Sequence, residues 1–551
     1  MSVDDVLARL EAQRVVFAPQ PSRAGLRSVP EFAEPAPLAV RVHRNVAAEH
    51  LFTSVLPFAR YAGLDLSVEY TAYDDTLSYA GLGTGVVDVE FVWIDTARLA
   101  EVEPGDLADM VATRLEALRL LSDAPILVVN SGLLDDRGSR YDARLAERLA
   151  TVPGAEIGDV TTIHRELGEH FLSSRRADLT AVPLSPAALV QVARRLGSSW
   201  LPALIRPTLK GVAIDLDNTL YAGVLGEDGI DGLELTDGHR AVQQRLHDLH
   251  DAGVFLAVVS RNEAEDVAKL FDAREDFPLR ADDVDVWEVS WGQKSEAVTR
   301  AAAQLRVSAD ALLFLDDNPG EVVEVLQHSA CTSAVLAADP ELSANGLLFA
   351  PGMFRFASSS ADQVRVRDLR SEQERAALRA AAADPQEYLR SLGVRLTFHV
   401  DQAAELPRAA ELSRKTNQFT TALARLDETQ LADRMHRADA GVITVGLRDR
   451  LSDSGSIAMV TAHRDGDTVV VDDICMSCRA MGRGLESVIL NRALDDFAQH
   501  LGGTALRFDV TEGPRNMPAR TWLDTTTGGT GRVIGRPAVD DTDPVEVEWI
   551  R

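Results

Sequence analysis

Short apolar runs alternate with amphipathic stretches along most of the chain. From Leu38 onward LAVRVHRN, LDLSVEY, VVDVEFVWID and APILVVNSG read as strands, and LADMVATRLEALRLL before the last of them has helical spacing. Apolar strands alternating with amphipathic helices predict an α/β unit with a parallel sheet. This unit closes near Trp200, and LPALIRP makes a junction. A second α/β unit follows: GVAIDLDNT as strand and polar turn, GHRAVQQRLHDLHDAG as helix, VFLAVVSRN as strand and turn, KSEAVTRAAAQLRV as helix. It ends with ALLFLDDNPGEVVEVLQH as strand, acidic turn and helix. A third unit opens with strand VRLTFHV and helix AAELPRAAELSRKTNQ. It continues through strands AGVITVGLRD, SIAMVTAHR and DTVVVDDICMS, a long helix GRGLESVILNRALDDFAQHL and strand ALRFDV, which predicts α+β with a mostly antiparallel sheet. The expected organisation is an N-terminal arm or linker (1–37), α/β domains at 38–204 and 205–356, a polar linking helix (357–385) and an α+β domain (386–551).

Composition narrows the function classes. Of 551 residues 46% are apolar and 26% charged, which suits several packed cores. The formal charge of −29 argues against a general binder of nucleic acid or anionic membrane, since the phosphate term would be repulsive. Three cysteines (Cys331, Cys475, Cys478) exclude a disulfide framework and suit a reducing cytosol. The start MSVDDVLARLEAQR lacks a basic segment followed by an apolar run, and no stretch approaches membrane-spanning length, so a cytoplasmic location is expected.

The strongest chemical signal is Asp215-Leu216-Asp217-Asn218-Thr219 at the end of an apolar strand. Alternation along an extended chain sends two carboxylates two residues apart the same way, and ligands of open α/β sheets bind outside the carboxyl ends of strands. One carboxylate can attack phosphorus while the other handles a proton. Ser260 ends the next strand, where a hydroxyl suits a phosphate oxygen. Lys294 opens a helix, where its ammonium can neutralise phosphoryl charge. Asp316 and Asp317 end a further strand and can complete a Mg²⁺ site with Asp215. Each piece alone also reads as a turn, cap or surface residue; the four in order, each at an element end, point to phosphoryl transfer.

This set resembles the HAD superfamily. The resemblance implies a Rossmann-like domain, an aspartyl-phosphate intermediate with Asp215 as nucleophile and Asp217 as general acid/base, and a Mg²⁺ site drawn from Asp215, Asp217 and Asp316. Phosphate is expected on Ser260, Arg261 and Lys294. The short span from Thr219 to the next strand leaves no room for a large cap, so an open site is expected. DLDNTLYAGVLGEDG, SRNEAEDV, WGQKSEAV and FLDDNPGEVVEV resemble the FkbH-like branch, with Tyr221 where that branch usually has Trp.

In ICMSCRAMGRGLESVIL two glycines and two cations (Arg479, Gly482, Arg483, Gly484) precede a helix. Glycines let backbone approach an anion, and helix N-termini attract one. The loop resembles the pantetheine-binding loop of GNAT-like acyltransferases; a structural turn reads equally from the residues alone. Cys478 sits beside Arg479 and near Arg483, where cations lower a thiol pKa; the plain alternative is an inert buried thiol. SRKTNQFTTALAR, RDRLSDSG, ICMSCRAMGRGLE and PRNMPARTWL resemble the C-terminal half of FkbH-like proteins, with RDRLSDSG departing from the commoner form at Leu451 and Ser452. The resemblance implies an acyl thioester on Cys478 and an acyl site lined by Asn417 and Asp453, which by themselves read as helix-end and turn residues. Cys475 is the poorer candidate, and Cys331 reads as structural.

Residues 38–200 resemble the SGNH-hydrolase-like domain often fused ahead of FkbH-like domains. They lack an early Gly-Asp-Ser and a late Asp-x-x-His, so a non-catalytic module is expected, with His43 and His50 structural or solvated. Together these resemblances imply a bifunctional enzyme that loads a (phospho)glyceryl group from 1,3-bisphosphoglycerate, or a similar acyl phosphate, onto the phosphopantetheine arm of an acyl carrier protein and removes the phosphate, for polyketide-type biosynthesis. An acidic carrier would need a basic face. Residues 411–450 (Arg414, Lys415, Arg425, Arg434, Arg437, Arg448, Arg450) with Arg479 and Arg483 are the expected one; ordinary surface pairs are the other reading. Two further readings stay open: a stand-alone Mg²⁺-dependent phosphatase of a small metabolite with a binding-only C-terminal domain, and a non-enzymatic assembly scaffold.

Overall fold

The computed structural model describes residues 2–79, 85–150, 152–173, 184–356, 371, 374–375, 378–379, 382, 384–416, 418–477, 480–481, 483–513, 516–528, 533–540 and 544–551. The chain divides into two compact units, Met1–Val366 and Arg367–Arg551.

Unit 1 holds two five-stranded sheets. The first has strands β1 (Ala36–Arg44), β2 (Leu64–Tyr73), β3 (Val89–Trp93), β4 (Ile126–Val129) and β5 (Ala155–Gly158), all parallel in the order β2-β1-β3-β4-β5. The second has β6 (Gly211–Ile214), β7 (Phe255–Ser260), β8 (Val286–Val289), β9 (Leu312–Asp316) and β10 (Ser333–Leu336), also parallel, in the order β10-β9-β6-β7-β8. The central strands β6, β7 and β9 are buried at every position, which is why they read as unbroken apolar runs. The edge strands β5, β8 and β10 are four residues each and only partly buried, too short to stand out in sequence.

Residues 1–37 do not form a separate arm. The helix Val3–Val16 starts on a Ser2–Asp5 capping box and buries Val6, Leu10, Gln13 and Val16. Gln13 donates to the Ala334 carbonyl (2.8 Å) and accepts from the Leu336 amide (2.9 Å), so its side chain occupies the open edge of β10. Gln13 also bonds the buried Tyr61 hydroxyl. One apolar core then runs from Val16 and Phe17 through Val40 and Phe52 to Val212 and Ile214, joining the two sheets that the sequence reading treats as separate domains.

Only two helices, Leu225–Gly232 and Asp237–Asp251, stand between β6 and β7, so no cap domain is inserted there.

Unit 2 is built on a mixed sheet: β11 (Arg395–Val400), β12 (Phe419–Thr420), β13 (Ala440–Arg448), β14 (Asp453–Asp465), β15 (Thr468–Met476), β16 (Ala505–Phe508), β17 (Val533–Gly535) and β18 (Glu546–Ile550). Its order is β17-β16-β15-β14-β13-β11-β18. Hairpin neighbours β13–β14 and β14–β15 are antiparallel, whereas β15–β16 and β11–β18 are parallel. β15 pairs with β16 only from Thr468 to Val471; farther along, Cys475 and Met476 pair with β12. The helix Glu486–Leu501 covers one face with Ile489, Leu490, Ala493, Leu494 and Phe497. The expected linking helix lies largely outside the described residues. Within it Arg375 is buried and holds Asp449 through two hydrogen bonds of 2.8 and 3.0 Å. Among the described residues no helix is long and apolar enough to cross a membrane.

Candidate active site

In the second sheet the chain leaves β6 toward β7 and β8 on one side, then returns to lay β9 and β10 on the other. The loops after β6 and β9 therefore diverge and leave a crevice at their carboxyl ends. Asp215 follows β6, its amide still bonded to the Leu315 carbonyl, and Asp316 ends β9 beside it. Asp317 is next in chain. Side-chain oxygens of Asp215, Asp316 and Asp317 all lie within 4.8 Å of one another.

Lys294, at the start of the helix Lys294–Gln304, reaches into this cluster. Its Nζ lies 2.9 Å from Asp215 Oδ1 and 2.6 Å from Asp316 Oδ2. Asp316 is fully buried, and Asp215 and Lys294 are 6% exposed. Burial and Asp215 push Asp316 up to about 7. Burial likewise raises Asp215 despite the ammonium beside it, and burial with Asp215 raises Asp317. Burial opposes the charge on Lys294, yet Asp215 and Asp316 carry its pKa above the ordinary lysine value. Three carboxylates against one ammonium leave an excess of negative charge on hard oxygen donors. That donor set fits Mg²⁺, which takes a few carboxylates and completes its shell with water and substrate oxygens.

The side chain of Asp217, expected among the metal ligands, is not grouped with these three carboxylates. Its Oδ1 accepts from the Tyr221 hydroxyl and the Leu225 amide, each at 2.9 Å, and its Oδ2 from Asn262 Nδ2 at 2.9 Å. Three donors thus hold the carboxylate in one orientation while leaving it half-buried at the mouth. Asn218 next to it adopts φ 54°, and its side chain caps the Gly223 amide, which turns the chain away from the strand direction. Asp317 takes the third place in the cluster. Tyr221 is fully buried and stacked on Phe277; burial and Asp217 raise its pKa, so it is a hydroxyl donor.

Ser260 is buried at the end of β7 and accepts from Asn262 Nδ2 at 3.2 Å. One amide nitrogen therefore ties the serine to Asp217, a link that the SRN spacing carries but that sequence reasoning passed over. Arg261, expected on phosphate, is turned aside: its Nη1 meets Glu321 at 2.6 Å and its Nε the Gly292 carbonyl at 3.1 Å. Next to the buried Asp215 and Asp316 in the chain, Asp217 and Asp317 are partly exposed and Asn218 and Asn318 exposed.

In unit 2, Asn417, Cys478, Arg479 and Gly482 lie outside the described residues. Asp453 is exposed at the start of β14 and caps the Gly455 amide, a turn role. Arg483 contacts Asp449 Oδ2 at 3.4 Å and Ser454 Oγ at 3.3 Å, joining Arg375 on the same carboxylate. Gly484 takes φ 76°. A cavity of about 220 Å³ is lined by Arg379, Tyr388, Arg483 and Gly484 among others. Cys475 is sealed in the core beside buried Asp473, and burial with that carboxylate raises its thiol pKa well above the ordinary value. Cys331 is also buried, pushed up to about 11, and bonded to the Leu312 and Ser333 carbonyls, as a structural thiol would be. Of the expected basic face, Arg425 binds the carbonyls of Ser413 and Thr416, Arg434 pairs with Asp472 and Arg437 with Asp439.

In the first sheet His43 is buried against Glu90 (2.8 Å), which Arg41 also holds (3.0 Å), whereas His50 is exposed. This is an internal ion cluster on the adjacent strands β1 and β3.

No protein-family model matches the chain, and no curated protein matches it. Among solved structures it is similar to the N-terminal part of the protein BF1531 from Bacteroides fragilis, containing a phosphatase domain complexed with Mg. The identity is 20% over 63% of this chain and 98% of that one, with TM-score 0.47. It is also similar to the ribosomal-protein-S18-alanine N-acetyltransferase from Escherichia coli, at 14% identity over 27% of this chain and 97% of that one, with TM-score 0.20. At these TM-scores the likenesses carry nothing about chemistry, which rests on the side chains above.

Proposed function

We propose that unit 1 is a Mg²⁺-dependent phosphatase of the aspartyl-phosphate type. The observation that carries this reading is the cluster of Asp215, Asp316 and Asp317, the first two paired with Lys294, at the switch point of a parallel sheet. In this reading Asp215 attacks phosphorus, and the leaving oxygen takes a proton at Asp217, whose orientation Tyr221 and Asn262 fix. Ser260 and Lys294 bind the transferring oxygens. Asp215, Asp316 and Asp317 would hold the metal, which when bound neutralises the charge between nucleophile and phosphate. Mg²⁺-dependent phosphate release from p-nitrophenyl phosphate, abolished by EDTA, tests the reading.

Metal affinity is expected to depend on pH. Asp316 must be ionised to bind Mg²⁺ and titrates at about 7 in the metal-free protein. Below that value the metal has to displace a proton, so affinity at about pH 6 is expected to be roughly tenfold weaker than at about pH 8. Calorimetry in buffers of different ionisation enthalpy would register the released proton. An affinity flat across this range contradicts the assignment.

We infer that unit 2 is an acyltransferase domain acting with that phosphatase. In this proposal the Cys478 thiolate attacks the acyl carbon of 1,3-bisphosphoglycerate and expels the acyl phosphate as inorganic phosphate. The phosphatase site then hydrolyses the remaining 3-phosphate, and the glyceryl group passes by thioester exchange to a carrier-protein thiol, freeing Cys478. What supports it is the resemblance of ICMSCRAMGRGLE, RDRLSDSG and PRNMPARTWL to FkbH-like proteins. Intact-protein mass spectrometry after incubation with 1,3-bisphosphoglycerate and Mg²⁺ is expected to show a phosphoglyceryl adduct that later loses its phosphate. Cys478→Ala should lose the adduct while p-nitrophenyl phosphate turnover persists. A wild-type protein that stays unmodified points to a phosphatase of a small metabolite instead.

A further inference from the structure

At the amino ends of the strands of unit 1, away from the carboxylates, lies a cavity of about 1040 Å³. Its wall is drawn from the turns that enter the strands: Ala62 and Gly63 before β2, Lys210 before β6, Ala311 before β9. The helix Val3–Val16 closes one side. Volume and mixed lining are those of a small-molecule site, yet nothing in the proposed phosphoryl chemistry uses it.

The two arginines of the wall are held by backbone carbonyls; Asp5 lies near enough to Arg9 to raise its pKa in opposition to burial, and the Arg9 guanidinium sits 4.3 Å over the Phe32 ring. Arg9 donates to the Tyr61 carbonyl at 3.0 Å, and Arg206 to the carbonyls of Ala62 (2.7 Å) and Gly63 (2.9 Å). Both guanidiniums crowd Gly63: a Cβ built there would stand 3.8 Å from Arg9 Nη2 and 4.0 Å from Arg206 Nη1. Neither arginine forms an ion pair among the described residues, and Arg9 Nε is buried without a hydrogen-bond partner. Burial lowers the pKa of both, and Arg9 lowers that of Arg206 further, as expected of like charges facing one another. Lys210 adds a third cation to the wall. The acids in the wall, Glu34 and Asp310, pair with none of the three among the described residues. Capping a helix C-terminus accounts for some of these donors; it does not account for two cations converging on one cavity with no anion between them.

We propose that this cavity binds an organic phosphate, its phosphate on Arg9, Arg206 and Lys210 and its body against the apolar wall of Val6, Leu10 and Leu313. Guanidiniums suit a doubly charged oxyanion, which accepts several donors at once. An inorganic anion alone would fill little of a space this large.

The probe is 8-anilinonaphthalene-1-sulfonate, an anion on an apolar body, titrated in EDTA so that the carboxylate site holds no metal. Saturable one-site binding, displaced by pyrophosphate, is expected. Arg9→Gln/Arg206→Gln should weaken it by about tenfold or more. Because those arginines also hold backbone carbonyls, Lys210→Gln is the second test. Lys210 makes no side-chain hydrogen bond among the described residues, so this variant should keep the wild-type melting temperature and still weaken binding several-fold. Absence of saturable binding, failure of pyrophosphate to compete, or unchanged affinity in a folded Lys210→Gln protein would overturn the proposal.

Discussion

Asp215→Asn is expected to reduce phosphate release by about 10⁴-fold or more, because it removes the nucleophile and leaves everything around it in place. Asparagine is isosteric, and the Asp215 backbone remains bonded to Leu315. Lys294 keeps its 2.6 Å contact with Asp316. The variant should therefore fold; because Asp215 also belongs to the proposed metal-holding set, its Mg²⁺ affinity is expected to fall as well, and the loss in kcat is read at saturating Mg²⁺. Asp217→Asn should cost less, on the order of 10²–10⁴-fold, since a positioned proton donor contributes that much. An Asp215→Asn protein within tenfold of wild type would mean that water attacks phosphorus directly and that Asp215 only holds metal.

Lys294→Met carries the second large effect, and it is conditional on metal. Lys294 is the cation that Asp215 and Asp316 share in a nearly dry site. Removing one partner of a buried ion pair leaves uncompensated charge and costs about 3–5 kcal/mol. In EDTA the variant is therefore expected to melt well below wild type. Saturating Mg²⁺ should restore much of the difference, since the divalent ion supplies the missing positive charge and binds only the folded state. Activity should remain low even with metal, because the ammonium also neutralises the transferring phosphoryl group. Equal melting temperatures of variant and wild type in EDTA would show that the carboxylates are protonated together and never needed the lysine.

Much of this site can be read from sequence because each residue sits where an apolar run breaks. Asp215, Ser260 and Asp316 each stand at or just past the end of a buried strand, and Lys294 opens a helix. What sequence could not carry is how side chains divide the space. Alternation along a strand predicts that Asp215 and Asp217 share a direction, but the strand ends at Ile214 and the turn through Asn218 redirects the second carboxylate toward Tyr221 and Asn262. Asp317, which the acidic strand end already offers beside Asp316, joins the cluster because it lies past the strand end, where alternation no longer sends it away. The packing of the helix Val3–Val16 is not legible in the sequence because its buried face includes Gln13, a polar residue whose partners are backbone groups of a strand far along the chain. In unit 2 the main strands and the long helix lie where the apolar pattern places them. The short strands β12, β17 and β18 are edge or bridging pieces whose pairing depends on distant chain.

The central claim is that the Asp215 carboxylate becomes phosphorylated during turnover. Acid-quenching the enzyme during steady-state hydrolysis with Mg²⁺, reducing with borohydride and mapping peptides by mass spectrometry tests it directly. Conversion of Asp215 to homoserine, absent when Mg²⁺ is withheld, is the predicted result. An unmodified Asp215 in enzyme quenched while phosphate is still being released would contradict it.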